Sequence, residues 1–363
     1  METKITFFKK ITKAIFKPRR APLTQKIFFV QQLGVMLKAG ISLSIALKTL
    51  AAQTTSKNFK IILLDLQEGV EKGNLLSKGL EKYQKIFGEL FINMIRAGEA
   101  SGKLEDVLRQ LFIQMKKDHD IISKVKGAMI YPLIVVGMMV VIAIVVLIYV
   151  IPTMSGIFTE MDIKLPLPTR VLIGVSGFAV KYGFYLFIAA VILIVVGQRM
   201  ISQPQGKKKF HQLLLKLPIM GGIIKKINLA RFCRSLSSLL KTDIPIVQSF
   251  EIVARILGNV IYKNALTEAK EKIKKGITIE ESLRPYSKIF PPVVLQMISV
   301  GEETGSLDNI LEESAVFYEE DVAQTMENLP SIMEPVLMII LGIGVGGMAV
   351  AVIMPMYSLS QAI

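Results

Sequence analysis

One stretch of this chain occurs twice, and the repeated region extends far beyond it. Residues 94–108 read MIRAGEASGKLEDVL and residues 297–311 read MISVGEETGSLDNIL, with seven of fifteen positions identical at an offset of 203 residues. The offset continues without a gap on both sides, and it aligns Phe29 with Phe232, Leu33 with Leu236, Gly73 with Gly276, Leu80 with Leu283, Tyr83 with Tyr286, Phe87 with Phe290, Pro132 with Pro335 and Pro152 with Pro355. Copies of this length exceed the units of solenoid proteins, so the sequence predicts a duplicated module.

Each copy ends in an apolar block long enough to cross a lipid bilayer. Ile130–Ile151 is almost wholly apolar, and its 22 residues would extend ~33 Å as a helix, against a hydrocarbon layer of ~30 Å. The second copy has the corresponding block at 333–354, and a third block lies between the copies at 171–197. We predict three transmembrane helices, of which the middle one lets both copies face the same compartment.

The distribution of charge predicts which compartment that is. Residues 1–127 hold 23 Lys and Arg against 11 Asp and Glu, and residues 198–329 hold 18 against 15. The connection 152–170 has only two charges of each sign, and the tail 355–363 has none. By the positive-inside rule, both large segments and the N-terminus are cytoplasmic, and the C-terminus is external. A basic surface facing membrane lipid explains the net charge of +15 without a nucleic-acid partner.

The predicted fold class is all-α, because apolar positions recur at helical spacing and no stretch alternates as a strand would. We predict a polytopic membrane protein with two homologous cytoplasmic helical-bundle domains of about six helices each. The N-terminal segment is either an amphipathic helix on the membrane or a disordered basic tail. The predicted segments are the N-terminal segment 1–27, the first cytoplasmic domain 28–127, the first transmembrane helix 130–151, an external loop 152–170, the second transmembrane helix 171–197, a linker 198–230, the second cytoplasmic domain 231–330, the third transmembrane helix 333–354 and an external tail 355–363.

The motif GExxG followed by Leu is the candidate functional feature of each copy. Its glycines would permit positive φ between a helix ending near Ala97 and one beginning near Lys103. Its glutamate would lie near the start of that following helix and bond free N–H groups there. The alternative is that these turns, with nearby acidic side chains, dock a partner or bind a divalent cation. The motif residues are Gly98, Glu99, Gly102 and Leu104 in the first copy and Gly301, Glu302, Gly305 and Leu307 in the second.

Two smaller signals mark turns in the first copy. Gly40 is a plausible left-handed helix stop, and Asn74 is a plausible N-cap. In the second copy, Asp243 replaces Gly40, and we expect the turn to differ in shape because Asp adopts left-handed geometry less readily than Gly.

Nothing except Pro132 interrupts the helical pattern from Lys103 to Ile151, so one helix is predicted to run from the cytoplasmic domain through the membrane, with a kink at the proline. Pro335 repeats this arrangement, and Pro152 and Pro355 follow the two spans. Gly342 and Gly346 form a GxxxG pair, which permits close helix–helix packing in lipid, either within the subunit or between subunits.

The sequence offers no recognisable catalytic chemistry. It has two histidines and one cysteine, no HExxH, no phosphate-binding loop and no GxSxG turn. Only Lys181 and Glu334, at the borders, place charge near the apolar blocks, which disfavours a transport pathway. We therefore predict no enzyme activity, no cofactor and no metal. The alternative from another class is a small polytopic channel or carrier.

Taken together and in order, these features resemble a known family. GExxG with Leu in both copies is combined with Tyr131-Pro132 and Glu334-Pro335 at the starts of two spans. LPLPTRVLIGVSGF follows the first span, and KLPIMGGIIKKINLARFCRSL leads into the second copy. The chain is similar to the F-type platform protein of the bacterial inner membrane, which serves type II secretion and type IV pilus machines.

The resemblance implies a non-enzymatic role and a set of partners. The protein would couple a hexameric cytoplasmic assembly ATPase to the insertion or removal of pilins or pseudopilins. It would also contact other inner-membrane assembly proteins, and it would form homo-oligomers.

Overall fold

The computed structural model describes residues 21–153 and 167–360, and every regular element in these ranges is helical, which confirms the all-α prediction. Residues 1–20 and most of the predicted external loop lie outside the described residues. The first half contains α1 Leu23–Lys38, α2 Leu43–Gln53, α3 Lys57–Glu71, α4 Leu76–Glu81, α5 Gln84–Phe87, α6 Glu89–Ser101 and α7 Leu104–Val145, which a π-helical turn, Val146–Val150, prolongs. The second half contains α8 Leu167–Ser202, α9 Pro204–Lys216, α10 Pro218–Leu240, α11 Ile246–Ile256, α12 Val260–Ile273, α13 Ile279–Leu283, the 3₁₀ turn Arg284–Tyr286, α14 Pro292–Thr304 and α15 Leu307–Ser360.

The helix bounds confirm the internal repeat. Adding 203 to the first and last residues of α2 gives the bounds of α11, and the same sum converts α6 into α14. It also converts the start of α7, Leu104, into the start of α15, Leu307. These helices of the two copies therefore begin, and α2 and α6 also end, at equivalent residues.

Both copies belong to one compact unit. This unit, which we call the bundle unit, comprises the described residues through Ile121 together with Leu214–Val322. The remaining described residues, Ile122–Leu213 and those from Ala323 onward, form a second unit, which we call the apolar unit. The helix bounds do not decide where the predicted segments meet, and that division stays a prediction.

A triad of aromatic rings forms the centre of each copy. In the first copy, the ring centroids of Phe29 and Phe59 are 5.7 Å apart, and Phe87 lies 6.2 Å from each. The second copy repeats the triad, with centroids 5.1 Å apart for Phe232 and Phe290 and 5.4 Å apart for Tyr262 and Phe290. The edge-to-face geometry of these second-copy pairs is favourable for aromatic rings. The repeat thus preserves the core as well as the helix bounds.

Polar contacts join the two copies within the bundle unit. The Gln114 side chain donates to Ser235 Oγ at 3.2 Å and accepts from Ser238 Oγ at 3.3 Å, and all three side chains are buried. Arg255 of α11 pairs with Glu89 of α6 at 2.7 Å. Because a buried amide left without partners is costly, these contacts favour one packing of copy against copy.

The turn at Asp243 corrects one expectation. Asp243 has φ 58° and Gly40 has φ 79°, so both residues adopt left-handed geometry. The closing hydrogen bond is equivalent in the two copies: Ile41 N donates to Met36 O at 3.0 Å, and Ile244 N donates to Leu239 O at 3.2 Å. The expectation of a different shape was wrong, because the short polar side chain of Asp tolerates this region better than most residues.

The long helices are continuous, as predicted. Helix α7 passes through Pro132 without interruption, and α15 passes through both Pro335 and Pro355. The helical region that begins with α7 includes Pro152 and reaches Thr153. Neither Pro152 nor Pro355 ends its helix, and the kink at Pro132 stays a prediction.

Two described helices are long and apolar enough to span a membrane, Leu104–Thr153 and Leu307–Val350. A third span results if Thr169–Tyr185 and Phe187–Ser202, which bend by 57° at their junction, count as one. A Cβ added at Gly342 or Gly346 would meet no described atom within 4 Å, so no other described helix packs closely there. The number of passes and the sides of the termini stay predictions.

Cys233 provides a built-in reporter for the bundle unit. It is fully buried in α10, and burial raises the pKa of its thiol to about 12. A protonated and inaccessible thiol is inert towards thiol-reactive dyes. Since the chain has no other cysteine, the rate of dye labelling reports the opening of this unit.

Candidate functional site

The glycines of the motif have two different roles in the first copy. Gly102 has φ 71° and ends α6 in left-handed geometry, as predicted. Gly98, by contrast, is helical and buried within α6, so the positive φ predicted for it was wrong. A Cβ at this position would lie 3.1 Å from the Cα of Leu104 and 2.8 Å from Cγ2 of Val107. Gly98 is therefore required for the close approach of α6 to the start of α7.

The second copy reproduces this arrangement. Gly305 has φ 69° and ends α14, and Gly301 is buried inside the same helix. A Cβ at Gly301 would lie 2.9 Å from the Cα of Leu307, which is the first residue of α15. In both copies the turn is tighter than predicted. The first-copy helix ends at Ser101 rather than near Ala97, and the next helix begins at Leu104.

The glutamate of the motif caps a helix, but not the helix that was predicted. The Glu99 carboxylate accepts hydrogen bonds from the backbone N–H groups of Leu76 and Ser77, the latter at 3.0 Å, at the start of α4. Glu302 likewise accepts from Ile279 at 2.7 Å and Glu280 at 3.1 Å, at the start of α13. The capped helix thus lies earlier in the chain than the motif.

This geometry also corrects the role assigned to Asn74. The residue that precedes α4 is Leu75, and no side chain in its own turn caps the helix. Glu99, in the last turn of α6, supplies the acceptor that a local cap would provide, and its negative charge faces the positive end of the α4 dipole. The motif therefore links three consecutive elements: the helix it ends, the helix that follows, and an earlier helix.

We expect Glu302→Gln to lower the free energy of unfolding by about 1–2 kcal/mol, because the amide retains one acceptor but loses the charge that strengthens both bonds. Glu99→Gln should behave alike. The measurement is the temperature at which Cys233 becomes reactive in the purified chain. Glu303→Gln is the matched control, since Glu303 is exposed and accepts a hydrogen bond from the Ser299 side chain, at 3.2 Å, rather than from the start of a helix. Equal effects at 302 and 303 would contradict the capping role.

A tyrosine–carboxylate contact supports the same region in each copy. Tyr83 donates to Asp65 Oδ2 at 2.9 Å, and Tyr286 donates to Glu268. Burial and the hydrogen bond to the carboxylate raise the pKa of Tyr286 to about 12, so the hydroxyl stays protonated and remains a donor. The alignment of the two tyrosines was visible in the sequence. Their acidic partners, Asp65 and Glu268, are also aligned by the repeat, but no local pattern indicated that the tyrosines contact them.

A buried ion pair in the bundle unit was missed altogether. Arg234 of α10 makes two hydrogen bonds to the Glu319 carboxylate of α15, at 2.7 and 2.9 Å, and each side chain is only 6% exposed. Lys117 of α7 approaches the same carboxylate at 3.2 Å. Glu312, two helical turns before Glu319 in α15, pairs with both Arg234 and Lys241. This network joins the fourth turn of α7 and the second and fourth turns of α15 to α10.

The repeat does not duplicate this network. The positions in the first copy that correspond to Arg234, Glu312 and Glu319 are Gln31, Arg109 and Lys116. Two acidic residues are thus replaced by basic ones, and the guanidinium is replaced by a neutral amide. No periodicity distinguishes a buried charge from a solvated one, so no sequence pattern indicated this pair.

Among residues 21–153 and 167–360, no group of three or more His, Cys, Asp and Glu side chains could hold a metal ion. The acidic residues beside the motif, including Glu105 and Asp308, are not gathered into such a group. The divalent-cation alternative gains no support from this part of the chain.

Comparison with known proteins identifies the class of protein that this fold and motif define. A family model described as "Type II secretion system (T2SS), protein F" matches residues 29–152 and again 232–355. Both matches contain a GExxG motif and nearly all of the long helix that follows it.

Named relatives cover most of this chain. A type IV pilus assembly protein PilC of Thermus thermophilus is 35% identical over 331 residues, which are 91% of this chain and 81% of the relative. The PilC of Myxococcus xanthus is 33% identical over 93% of this chain and 81% of its own length. A type II secretion system protein F of Pseudomonas aeruginosa is 31% identical over 92% and 82%. The chain belongs to the type II secretion system protein F family.

Proposed function

We propose that this chain is the non-enzymatic inner-membrane platform of a type IV pilus or type II secretion machine, coupling a cytoplasmic assembly ATPase to the insertion or removal of pilins or pseudopilins. The family and the names of the relatives support the machine. The coupling itself is supported by the two uninterrupted helices, α7 and α15. Each starts at a GExxG turn in the bundle unit and continues into an apolar region.

The free-energy cost of filament assembly requires coupling to an energy source. Moving an apolar helix of ~20 residues out of lipid costs on the order of 10 kcal/mol, at ~0.5 kcal/mol per apolar residue. The sequence contains no GxxxxGK[ST] phosphate loop from which this chain could obtain that energy itself. A partner that hydrolyses nucleotide is therefore part of the proposal, as is a continuous helix that transmits its motion.

The first copy offers a surface for that partner. Its α3 exposes Ile61 by 38% and Leu64 by 41%, one turn apart on the same helix. The corresponding residues of the second copy are Asn264 and Thr267, so the second copy is polar where the first is apolar. Ile45 and Leu75, both 58% exposed, are likewise replaced by Gln248 and Thr278. We assign the ATPase to these exposed apolar residues of the first copy and homo-oligomerisation to the apolar unit, where Gly342 and Gly346 are open to another subunit.

The test uses the full chain in membranes with its own assembly ATPase and pilin. We expect Ile61→Asn with Leu64→Thr, which gives the first copy the residues of the second, to reduce crosslinking to the ATPase by about tenfold and to abolish filaments, because an apolar contact is lost. The matched control is Asn264→Ile with Thr267→Leu, which should leave both unchanged. If the wild-type chain crosslinks to neither the ATPase nor a pilin, the coupling proposal is wrong.

A further inference from the structure

Helix α9 is a basic segment between α8 and the second copy that no role described so far requires. Residues 199–216 contain Arg199, Lys207, Lys208, Lys209 and Lys216 and no acidic residue. No ion pair with another described residue engages any of the four lysines. Four positive charges on a helix of 13 residues, without counter-charges of their own, favour an anionic partner.

The helix is also amphipathic, and its apolar side is not covered. Phe210, Leu213 and Leu214 recur at spacings of three and one, so these side chains share one face, and Leu217 is the first residue after the helix. Leu213 is 60% exposed and Leu217 is 42% exposed. No residue of α9 is buried. Gln212 and Lys208 lie on the opposite side of the helical wheel, and Lys209 and Lys216 flank the apolar face.

The chain path keeps α9 beside the end of α8. Only Gln203 separates Ser202, the last residue of α8, from Pro204, the first residue of α9. At this junction a Cβ on Gly206 would lie 1.9 Å from the carbonyl oxygen of Met200, so the backbones of the two helices are in close contact. Because α8 is a candidate span, an adjacent helix held this tightly begins at the membrane surface.

We propose that α9 lies on the cytoplasmic surface of the bilayer, with Phe210, Leu213, Leu214 and Leu217 inserted at the boundary of headgroups and acyl chains and its lysines bound to anionic lipid headgroups. A basic amphipathic helix with large apolar side chains is the pattern of an interfacial membrane helix. A second copy of this chain would bring the same positive charge to the same surface and is disfavoured by repulsion. The proposal rests on α8 entering the membrane.

The experiment places an environment-sensitive dye on single cysteines of the full chain with Cys233→Ala, reconstituted in vesicles of phosphatidylcholine with or without phosphatidylglycerol. The labelled variants are Leu213→Cys on the apolar face, Gln212→Cys on the polar face, and Leu193→Cys in α8 as the control. When phosphatidylglycerol is present, we expect the emission of the label at 213 to shift to the blue. Its quenching by aqueous iodide should fall about threefold. The label at 212 should stay accessible to iodide.

Replacement of Lys207, Lys208 and Lys209 by Gln should remove most of the difference between the two lipid compositions, as should added salt. A label at 213 that is equally accessible in both lipids, or equally protected in both lipids and in detergent, would overturn the proposal. So would protection that arises only when the assembly ATPase is added, because the surface would then bind protein. Quenching of the label at 193 by lipids with nitroxide-labelled acyl chains tests separately whether α8 is in the membrane, and its absence would overturn the premise.

Discussion

Arg234→Met is expected to lower the free energy of unfolding of the bundle unit by about 3 kcal/mol, because it leaves the Glu319 carboxylate buried without its main partner. Glu319 is only 6% exposed, and Lys117 at 3.2 Å replaces only part of the lost interaction. The double variant Arg234→Met with Glu319→Leu should lose less than the single one, since removing both charges removes the unpaired group. The measurement is the temperature at which Cys233, the neighbour of Arg234 in the chain, becomes reactive towards a thiol dye.

The control is an ion pair of the same type on the surface. Arg284→Met removes the partner of Glu280, and the Arg284 side chain is 67% exposed, so we expect little change. Lys241, by hydrogen bond and by charge, holds the pKa of Glu312 below its ordinary value of 4.5. That part of the network therefore stabilises the protein at neutral pH and is lost as the pH falls below this value. Equal effects of Arg234→Met and Arg284→Met would show that burial of the pair is unimportant.

Gly301→Ala is expected to abolish filament assembly while the protein still inserts into the membrane. The added Cβ would lie 2.9 Å from the Cα of Leu307, a backbone atom that cannot rotate away. The start of α15 must then shift, at a cost of about 1–3 kcal/mol. Because α15 is continuous from Leu307, the shift is passed along the helix. Filaments on the cell surface and the amount of protein in the membrane fraction are the measurements.

Gly98→Ala should have the same effect in the first copy, where the corresponding distance is 3.1 Å. Gly69→Ala is the matched control, since Gly69 is also helical but a Cβ there would meet nothing within 4 Å. Alanine at an open helical position is neutral or slightly stabilising. Normal filaments in both Gly98→Ala and Gly301→Ala would show that these motif glycines are not required for filament assembly.

Much of the fold followed from the sequence because its strongest signals are long. The repeat, the apolar blocks and the helical periodicity each extend over many residues, and the gap-free offset predicted the equivalence of α2 with α11 and of α6 with α14. The exact ends of helices were harder to predict, since a few residues decide them. Gly102 and Gly305 were correctly placed in left-handed geometry because that geometry depends on the residue itself.

The parts that could not be predicted depend on which elements meet. Glu99 was assigned to the nearest helix start, whereas it bonds to one 22 to 23 residues earlier, because α6 packs beside α4. Gly98 and Gly102 look alike in the sequence, yet one permits close helix packing and the other a turn. The Arg234–Glu319 pair required knowing that α10, α7 and α15 converge. A local sequence pattern does not indicate which helices converge in space.

The unequal copies have a consequence for how such a chain diverged. Two identical polypeptides associated side by side must carry the same residue at every equivalent site, so neither partner can lose what the other keeps. Covalent fusion lifts that restriction. Arginine at 234 with glutamine at 31, and asparagine at 264 with isoleucine at 61, are differences that a pair of identical chains could not have. Fusion therefore allows one copy to contain a buried ion pair while the other keeps an exposed apolar surface.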